Sequence, residues 1–293
     1  MPASVSIARP IIILSAPRSG STLLFETLSR HPELYSLGTE SHGLIESNPS
    51  LSPPFNNFDS NALTESHATP EITERIRNAF ASSIVSYSKE RPPSDASVRL
   101  LEKTPKNAVR IPFLKKLFPD ARFVHLVRDP IKNIASIIDA WQSGRFVTYP
   151  FLPGWDAHWS LFLPPGWRTL KGQSLADVAA YQWKVANQSI LSNLDYSETG
   201  DTVLVRYEDL VAEPQKVLAR ICDFHKLAPH QFVTSDEALP YSQFTLTPPS
   251  ADKWLRHQRS LSAVELALSS TVEKINLALA EQALPSLHVT QIS

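Results

Sequence analysis

Residues 15–22 read Ser15-Ala16-Pro17-Arg18-Ser19-Gly20-Ser21-Thr22, between a short β-branched run at 10–14 and a stretch to residue 31 that has neither glycine nor proline. That order predicts a strand, a tight loop and a helix. Such a unit gathers uncommitted backbone N–H groups around one point, with the positive end of the helix dipole behind them. Gly20 lets the chain close tightly on an oxyanion, Ser21 and Thr22 add hydroxyl donors in the first turn, and Arg18 adds a mobile charge. A pocket for phosphate or sulfate is the chemistry this combination supports. The plainer alternative leaves Arg18 on the surface and makes Ser21 a helix cap. The loop lacks the first glycine and the lysine of Gly-x-x-x-x-Gly-Lys-Ser/Thr, which disfavours a standard ATPase or GTPase.

A second candidate is Arg128-Asp129-Pro130 followed by Ser136. Arg128 ends a strand expected at 122–127, at the edge where open α/β sheets bind ligands. Ser136 follows about 12 Å along the helix axis, within much of the reach of a folded-back guanidinium. Together they can hold a second phosphoryl group away from the first. The competing reading pairs Arg128 with Asp129 or Asp120 as a surface salt bridge.

Four motifs in order, Pro17-Arg18-Ser19-Gly20-Ser21-Thr22-Leu23-Leu24, Glu102-Lys103-Thr104-Pro105, Val127-Arg128-Asp129-Pro130 with Ser136, and Val205-Arg206-Tyr207-Glu208-Asp209-Leu210, resemble the sulfotransferases that use 3′-phosphoadenosine 5′-phosphosulfate (PAPS). The likeness covers residues 11–227, with a weaker echo at Lys253-Trp254. Arginine in the first loop is similar to the bacterial, Golgi and tyrosyl-protein branches; the cytosolic branch typically has lysine there. The resemblance implies a P-loop-like three-layer α/β fold with a central parallel sheet flanked by helices, related to nucleotide kinases. It implies that Arg18, Ser19, Gly20, Ser21 and Thr22 bind the 5′-phosphosulfate, and that Arg128 and Ser136 bind the 3′-phosphate. By the same likeness Tyr207 lies near the nucleotide, and Lys253 and Trp254, with the less closely matching Thr247, close over it.

The activity so implied is sulfuryl transfer to a small hydroxyl or phenolic acceptor. Arg18 is the candidate for stabilising the leaving phosphate. A monoanionic sulfuryl group needs no magnesium ion to neutralise a triphosphate, so no metal is expected. Glu40, in Gly38-Thr39-Glu40-Ser41-His42, resembles the acidic base of the non-cytosolic branches. His42 is its rival, because imidazole titrates nearer neutrality. Lys103 is placed to orient the acceptor or share leaving-group charge. The alternatives are a nucleotide kinase or hydrolase of related fold, and a catalytically silent nucleotide-binding protein.

The elements that must position these residues are short strands alternating with long helices, which means a parallel sheet covered on both faces. Strands are expected at 10–14, 98–101, 122–127 and 202–205. Helices are expected at 21–31, at 107–117, from 175 to 194, and from about Pro214. Thr69 caps a further helix with the stripe Ile72, Ile76, Phe80, Ile84 and Tyr87. Asp129 caps another, which Ile131, Ile134, Ile138 and Trp141 pack down while Lys132, Asn133 and Ser136 face elsewhere. Residues 48–68 read as a surface loop. Ser262 and Glu265 form a capping-box signature for the last helix. Residues 142–173, with Trp155, Trp159 and Trp167, form a long aperiodic insertion suited to a lid or an acceptor wall, with Arg145, His158 and Arg168 as polar handles. The same composition also suits a packed insertion or a dimer contact.

Composition bounds the rest. The 293 residues are 42% hydrophobic and 19% charged, with 28 basic against 29 acidic side chains. This is a single globular domain's composition, and the near-neutral balance argues against nucleic-acid binding. Cys222 is the only cysteine, which excludes an intrachain disulfide or a thiolate cluster. No apolar run reaches the length of a membrane span, and the N-terminal apolar run is too short for a secretion signal, so the expected location is the cytoplasm.

Overall fold

Alternating side chains sort the strands onto two faces, and that alternation builds the layers. The structure, a computed structural model, describes residues 5–233, 239–248 and 250–292. In chain order the strands are β1 (Ser6–Ile7), β2 (Ile11–Ser15), β3 (Leu34–Tyr35), β4 (Ser97–Lys103), β5 (Arg122–Val127), β6 (Val147–Tyr149), β7 (Trp159–Ser160) and β8 (Thr202–Arg206). The helices are α1 (Ser21–Leu28), α2 (His42–Glu46), α3 (Pro70–Ser83), α4 (Ile111–Leu117), α5 (Pro130–Gln142), α6 (Leu175–Asn193), α7 (Tyr207–Ala212), α8 (Pro214–His225), α9 (Gln258–Ser262) and α10 (Ser269–Glu281).

The main sheet is parallel in the order β1-β4-β2-β5-β8, with β3 also on β4. Ile11 and Ile13 of β2, Val124 and Leu126 of β5, and Val203 and Val205 of β8 join α1 and α8 in one core. Ile12, Leu14, Phe123 and Leu204 face the other way into a larger core under α4, α5, α6 and α10. The result is the expected three-layer α/β/α arrangement. Strand order reverses around β2, which places the ligand crevice at its carboxyl end.

Several local expectations need correction. The helix expected at 107–117 is split: a 3-10 turn occupies Pro105–Val109 and α4 begins only at Ile111. Two-residue strands β1 and β3 are too short to carry a period. The stripe of α3 stops at Ile84, and Tyr87 is exposed. Ser262 does not cap α10; its hydroxyl donates to the Arg259 carbonyl at the end of α9, and α10 starts at Ser269.

Residues 48–68 are not merely a surface loop. Asn61 is buried, exchanges hydrogen bonds with the Leu163 backbone (2.8 and 2.6 Å), and accepts Arg110 Nε at its carbonyl (2.9 Å). The Asn61 backbone N–H and its carboxamide oxygen together satisfy both backbone groups of Leu163.

In the 142–173 segment, Trp155, Trp159 and Trp167 pack edge to face at 4.9–6.2 Å, and Trp141 joins Trp159 at 5.1 Å. Trp159 and Trp167 are fully buried, so they pack into the core and do not line an open wall. Arg168 donates to the Asn57 carbonyl (2.6 Å), and His158 stacks on Trp141. No helix among the described residues is long and apolar enough to cross a membrane.

Candidate active site

The loop between β2 and α1 bends through two left-handed residues, Arg18 (φ 65°) and Gly20 (φ 99°). Its carbonyls are disposed of on one side. Asn133 Nδ2 donates to the Pro17 carbonyl (2.8 Å), and Arg128 Nη1 donates to that of Arg18 (2.9 Å). Ser19 Oγ donates to Asn133 Oδ1 (2.7 Å), and the Gly20 carbonyl accepts from Leu24 N–H. What remains is the amino end of α1, whose first-turn N–H groups have no intrahelical partner.

Gly20 is required by both conformation and space. A Cβ there would lie 2.4 Å from Tyr207 Cδ2. Gly20→Ala is therefore expected to cost about 1–3 kcal/mol through backbone strain and a displaced ring. Thermal unfolding checks this; an unchanged melting temperature would mean that the ring yields freely.

Cations converge on this loop. Arg18 Nη2 donates to the Phe244 carbonyl (3.1 Å), its guanidinium lies 4.7 Å from the Phe146 ring centroid, and its buried Nε has no partner. Arg128 stacks 4.6 Å from the Tyr207 ring and also has a buried, unpartnered Nε. Burial, then the Arg128 charge, push the Arg18 guanidinium down to about 10; Arg145 adds to the effect and Asp139 opposes it. Asp139 is already bonded to Arg256 and to His257 (2.7 Å). Arg128 forms no ion pair with Asp120, which accepts the Arg9 N–H instead.

The C-terminal segment lies alongside. Lys253 Nζ donates to the Thr247 carbonyl (2.7 Å) and hydroxyl, and Trp254 is buried. Burial, then the Arg256 charge, lower the Lys253 ammonium, with smaller contributions from Arg128 and Arg18. Ser136 is half-buried on α5, one turn beyond Asn133 and one turn before Asp139.

Asp129 anchors the start of α5. Its Oδ1 caps the Ile131 and Lys132 N–H groups (2.9 and 3.1 Å). Its Oδ2 accepts from Thr290 N–H (2.9 Å) and Thr290 Oγ1 (2.6 Å), and contacts His288 Nδ1 at 3.1 Å. The Asp129 N–H donates to Glu208 Oε1 (3.1 Å), beside Tyr207.

On the other flank β3 pairs with β4, and the chain that follows brings Glu40 beside Lys103 at the end of β4. Lys103 Nζ donates to Glu40 Oε1 at 2.6 Å, and His42 Nδ1 lies 3.4 Å from Glu40 Oε2. Burial raises the Glu40 carboxyl, but His42 and the Lys103 charge outweigh it and hold the group below the ordinary carboxylate range. Beneath it, fully buried Glu102 accepts Ser41 Oγ (2.6 Å) and Asn107 Nδ2 (3.0 Å), and burial pushes its carboxyl up. Lys103 Nζ sits 5.9 Å from the Phe244 ring, which meets Phe146 edge to face at 6.2 Å.

The structure thus gathers Arg18, Ser19, Gly20, Ser21, Thr22, Arg128 and Tyr207 on one side and Glu40, His42 and Lys103 on the other. Asn133, Glu102, Phe146 and Phe244 are added to them. Asn133 had a signal, being a poor helix former among isoleucines. Glu102 is a charge inside an apolar strand, which asks for a buried partner. No group of three or more His, Cys, Asp or Glu side chains among the described residues is arranged to hold a metal ion.

Known proteins agree with this architecture. Protein-tyrosine sulfotransferase A of Caenorhabditis elegans is 26% identical over 277 residues, covering 91% of this chain and 59% of that protein's length. The fold matches sulfotransferase STF9 from Mycobacterium avium with a TM-score of 0.52 at 17% identity, over 97% of this chain and 79% of that one. It matches a sulfotransferase from Alicyclobacillus acidocaldarius with a TM-score of 0.50 at 12% identity, over 93% and 96%. The model of the Sulfotransferase family covers residues 10–231, three quarters of the sequence with the anion loop and strands β2 to β8, and the chain belongs to that family.

Proposed function

We propose that this chain transfers a sulfuryl group from PAPS to a hydroxyl or phenolic acceptor. The observation that carries the reading is the pair Arg18 and Arg128, held close in desolvating surroundings with both Nε atoms unpartnered. Two like charges so placed are relieved by an anionic ligand, and the loop and α1 supply the matching N–H groups. The donor's two anionic ends match this layout. Arg18 to Thr22 take the 5′-phosphosulfate, and Arg128 and Ser136 take the 3′-phosphate. Tyr207, Thr247, Lys253 and Trp254 line the nucleotide.

The donor supplies an electrophilic sulfur. The acceptor oxygen attacks it in line, a new O–S bond forms, and the S–O bond to the phosphate breaks with its electron pair leaving on the phosphate oxygen. Arg18 and the α1 amino terminus stabilise that developing charge more than the ground state. Glu40 takes the acceptor proton, and Lys103 fixes its carboxylate in place. The C. elegans relative is described as acting on protein tyrosine, which makes a phenol the first acceptor to try. The buried Cys222 thiol, pushed up to about 11 by burial, is shielded from exchange and takes no part in the transfer.

The test is calorimetric titration with 3′-phosphoadenosine 5′-phosphate against ADP, then turnover on a panel of phenols and alcohols. Preference for the bisphosphate together with a sulfated product is expected. Equal affinity for ADP would favour a kinase or hydrolase, and binding without turnover a silent nucleotide binder.

Arg128→Ala is expected to weaken the 3′,5′-bisphosphate by about 10- to 100-fold, the loss of one charge-assisted contact. Affinity for adenosine 5′-phosphosulfate, which lacks the 3′-phosphate, should fall by less, through loss of the bond to the Arg18 carbonyl alone. Equal weakening of both ligands in a folded variant would assign Arg128 to the scaffold through its bond to the Arg18 carbonyl.

A further inference from the structure

We propose that Asn133 is a positioning residue that sets the direction of the anion-loop N–H groups from helix α5. The inference rests on the donor reading above and adds a residue that its anion-binding set does not contain. Asn133 is fully buried, and its carboxamide works in both directions, donating to the Pro17 carbonyl (2.8 Å) and accepting from Ser19 Oγ (2.7 Å). Among side chains of this size only asparagine offers both a strong donor and a carbonyl acceptor from one planar group.

A trans peptide points its C=O and N–H in opposite directions. Fixing the Pro17 carbonyl on Asn133 therefore turns the Arg18 N–H away from α5, and fixing the Arg18 carbonyl on Arg128 does the same for the Ser19 N–H. Without those anchors the loop can present carbonyl oxygens to the ligand, and a carbonyl dipole repels an oxyanion as strongly as an N–H attracts one. The positive φ of Arg18, 65° in a non-glycine residue, marks a conformation that surrounding contacts must hold. Asn133 also lies one turn before Ser136, so a single rigid helix carries the 3′-phosphate serine and the anchor of the 5′-phosphosulfate loop.

The test measures calorimetric affinities of 5′-AMP and 3′-AMP, and kcat and KM for PAPS, in wild type, Asn133→Ala, Asn133→Asp and Ser19→Ala. The isosteric Asn133→Asp still accepts from Ser19 but sets a carboxylate oxygen against the Pro17 carbonyl. Asn133→Ala and Asn133→Asp are expected to lose about 10- to 100-fold in kcat and in 5′-AMP affinity, the scale of an ångström-level misplacement. Affinity for 3′-AMP should stay within about twofold on the same estimate. The single hydroxyl proton of Ser19 is given to Asn133, so Ser19 meets the donor through its N–H. Ser19→Ala removes that one bond, leaves the Pro17 anchor, should show the same pattern at smaller size, and carries the test if both Asn133 variants fail to fold.

Equal losses on both monophosphates, or wild-type behaviour of the variants on both, would overturn the proposal. The two failures are separable. If wild type binds the 3′,5′-bisphosphate and the variants match it, the Asn133 assignment alone falls. If wild type binds none of these nucleotides, the donor reading falls and takes the assignment with it.

Discussion

Arg18→Ala is expected to lower turnover at saturating donor by about 10²- to 10³-fold, equivalent to about 3–4 kcal/mol of barrier, and to weaken binding of the desulfated bisphosphate by far less. The asymmetry follows from where charge develops. The leaving phosphate gains negative charge only as the sulfur–oxygen bond breaks, so a cation aimed there is worth more in the transition state than in either bound ground state. Arg18 is equipped for this. Its pKa, pushed down to about 10, still leaves it charged at neutral pH, and its surroundings screen it poorly. The Arg18 Nη2 contact to the Phe244 carbonyl and the Phe146 ring hold the guanidinium beside the loop. Steady-state kinetics paired with calorimetry provide the check. An effect confined to donor affinity, with turnover at saturation intact, would remove Arg18 from the chemical step.

Glu40→Gln keeps the shape and most hydrogen bonds of the acceptor side but cannot accept a proton, so turnover of an unactivated alcohol should fall by about 10²- to 10⁴-fold with donor affinity retained. A strongly acidic phenol should lose less, because it ionises without help. The pH profile separates Glu40 from His42. A base must be deprotonated to act, and Glu40 is held below its ordinary value of 4.5 by His42 and Lys103 against the opposing effect of burial. With Glu40 as base, activity persists as pH falls and is lost only below the ordinary carboxylate range. A decline nearer neutrality is the signature of an imidazole base in general. Near-wild-type activity in Glu40→Gln beside severe loss in His42→Asn would transfer the role to His42.

The donor side was legible in the sequence because its pieces are local. A β-branched strand, Arg18 to Thr22 and a glycine-free helix lie within two dozen residues, and Asp129-Pro130 announces the start of α5. Glu40 meeting Lys103 is a pairing over 63 positions, anticipated only as a return of the chain to the sheet edge. The sequence sets Asn133 off the isoleucine face but names no partner for it, because helical periodicity sorts residues only into apolar and polar faces. It says nothing of a polar side chain buried against a neighbouring loop. The tryptophans of 142–173 leave several readings open in the sequence for a similar reason. Aromatic composition is the same in a pocket wall and in a packed cluster, and only the edge-to-face stacking of Trp155, Trp159 and Trp167 decides between them.

The contact between Asp129 and Thr290 has a consequence in time. The two residues are 161 positions apart, and the later one supplies two of the hydrogen bonds on a fully buried carboxylate oxygen. At ordinary rates of synthesis the ribosome needs roughly 8 to 32 s to cover that interval. During that time Asp129 can cap α5 with one oxygen, while the other must stay in water or stand buried without a partner, at a cost of about 1–3 kcal/mol or more for a charged group. Until the segment at 288–290 is made, hydration is the cheaper state for that oxygen, and Thr290 then supplies the partners that let it be buried.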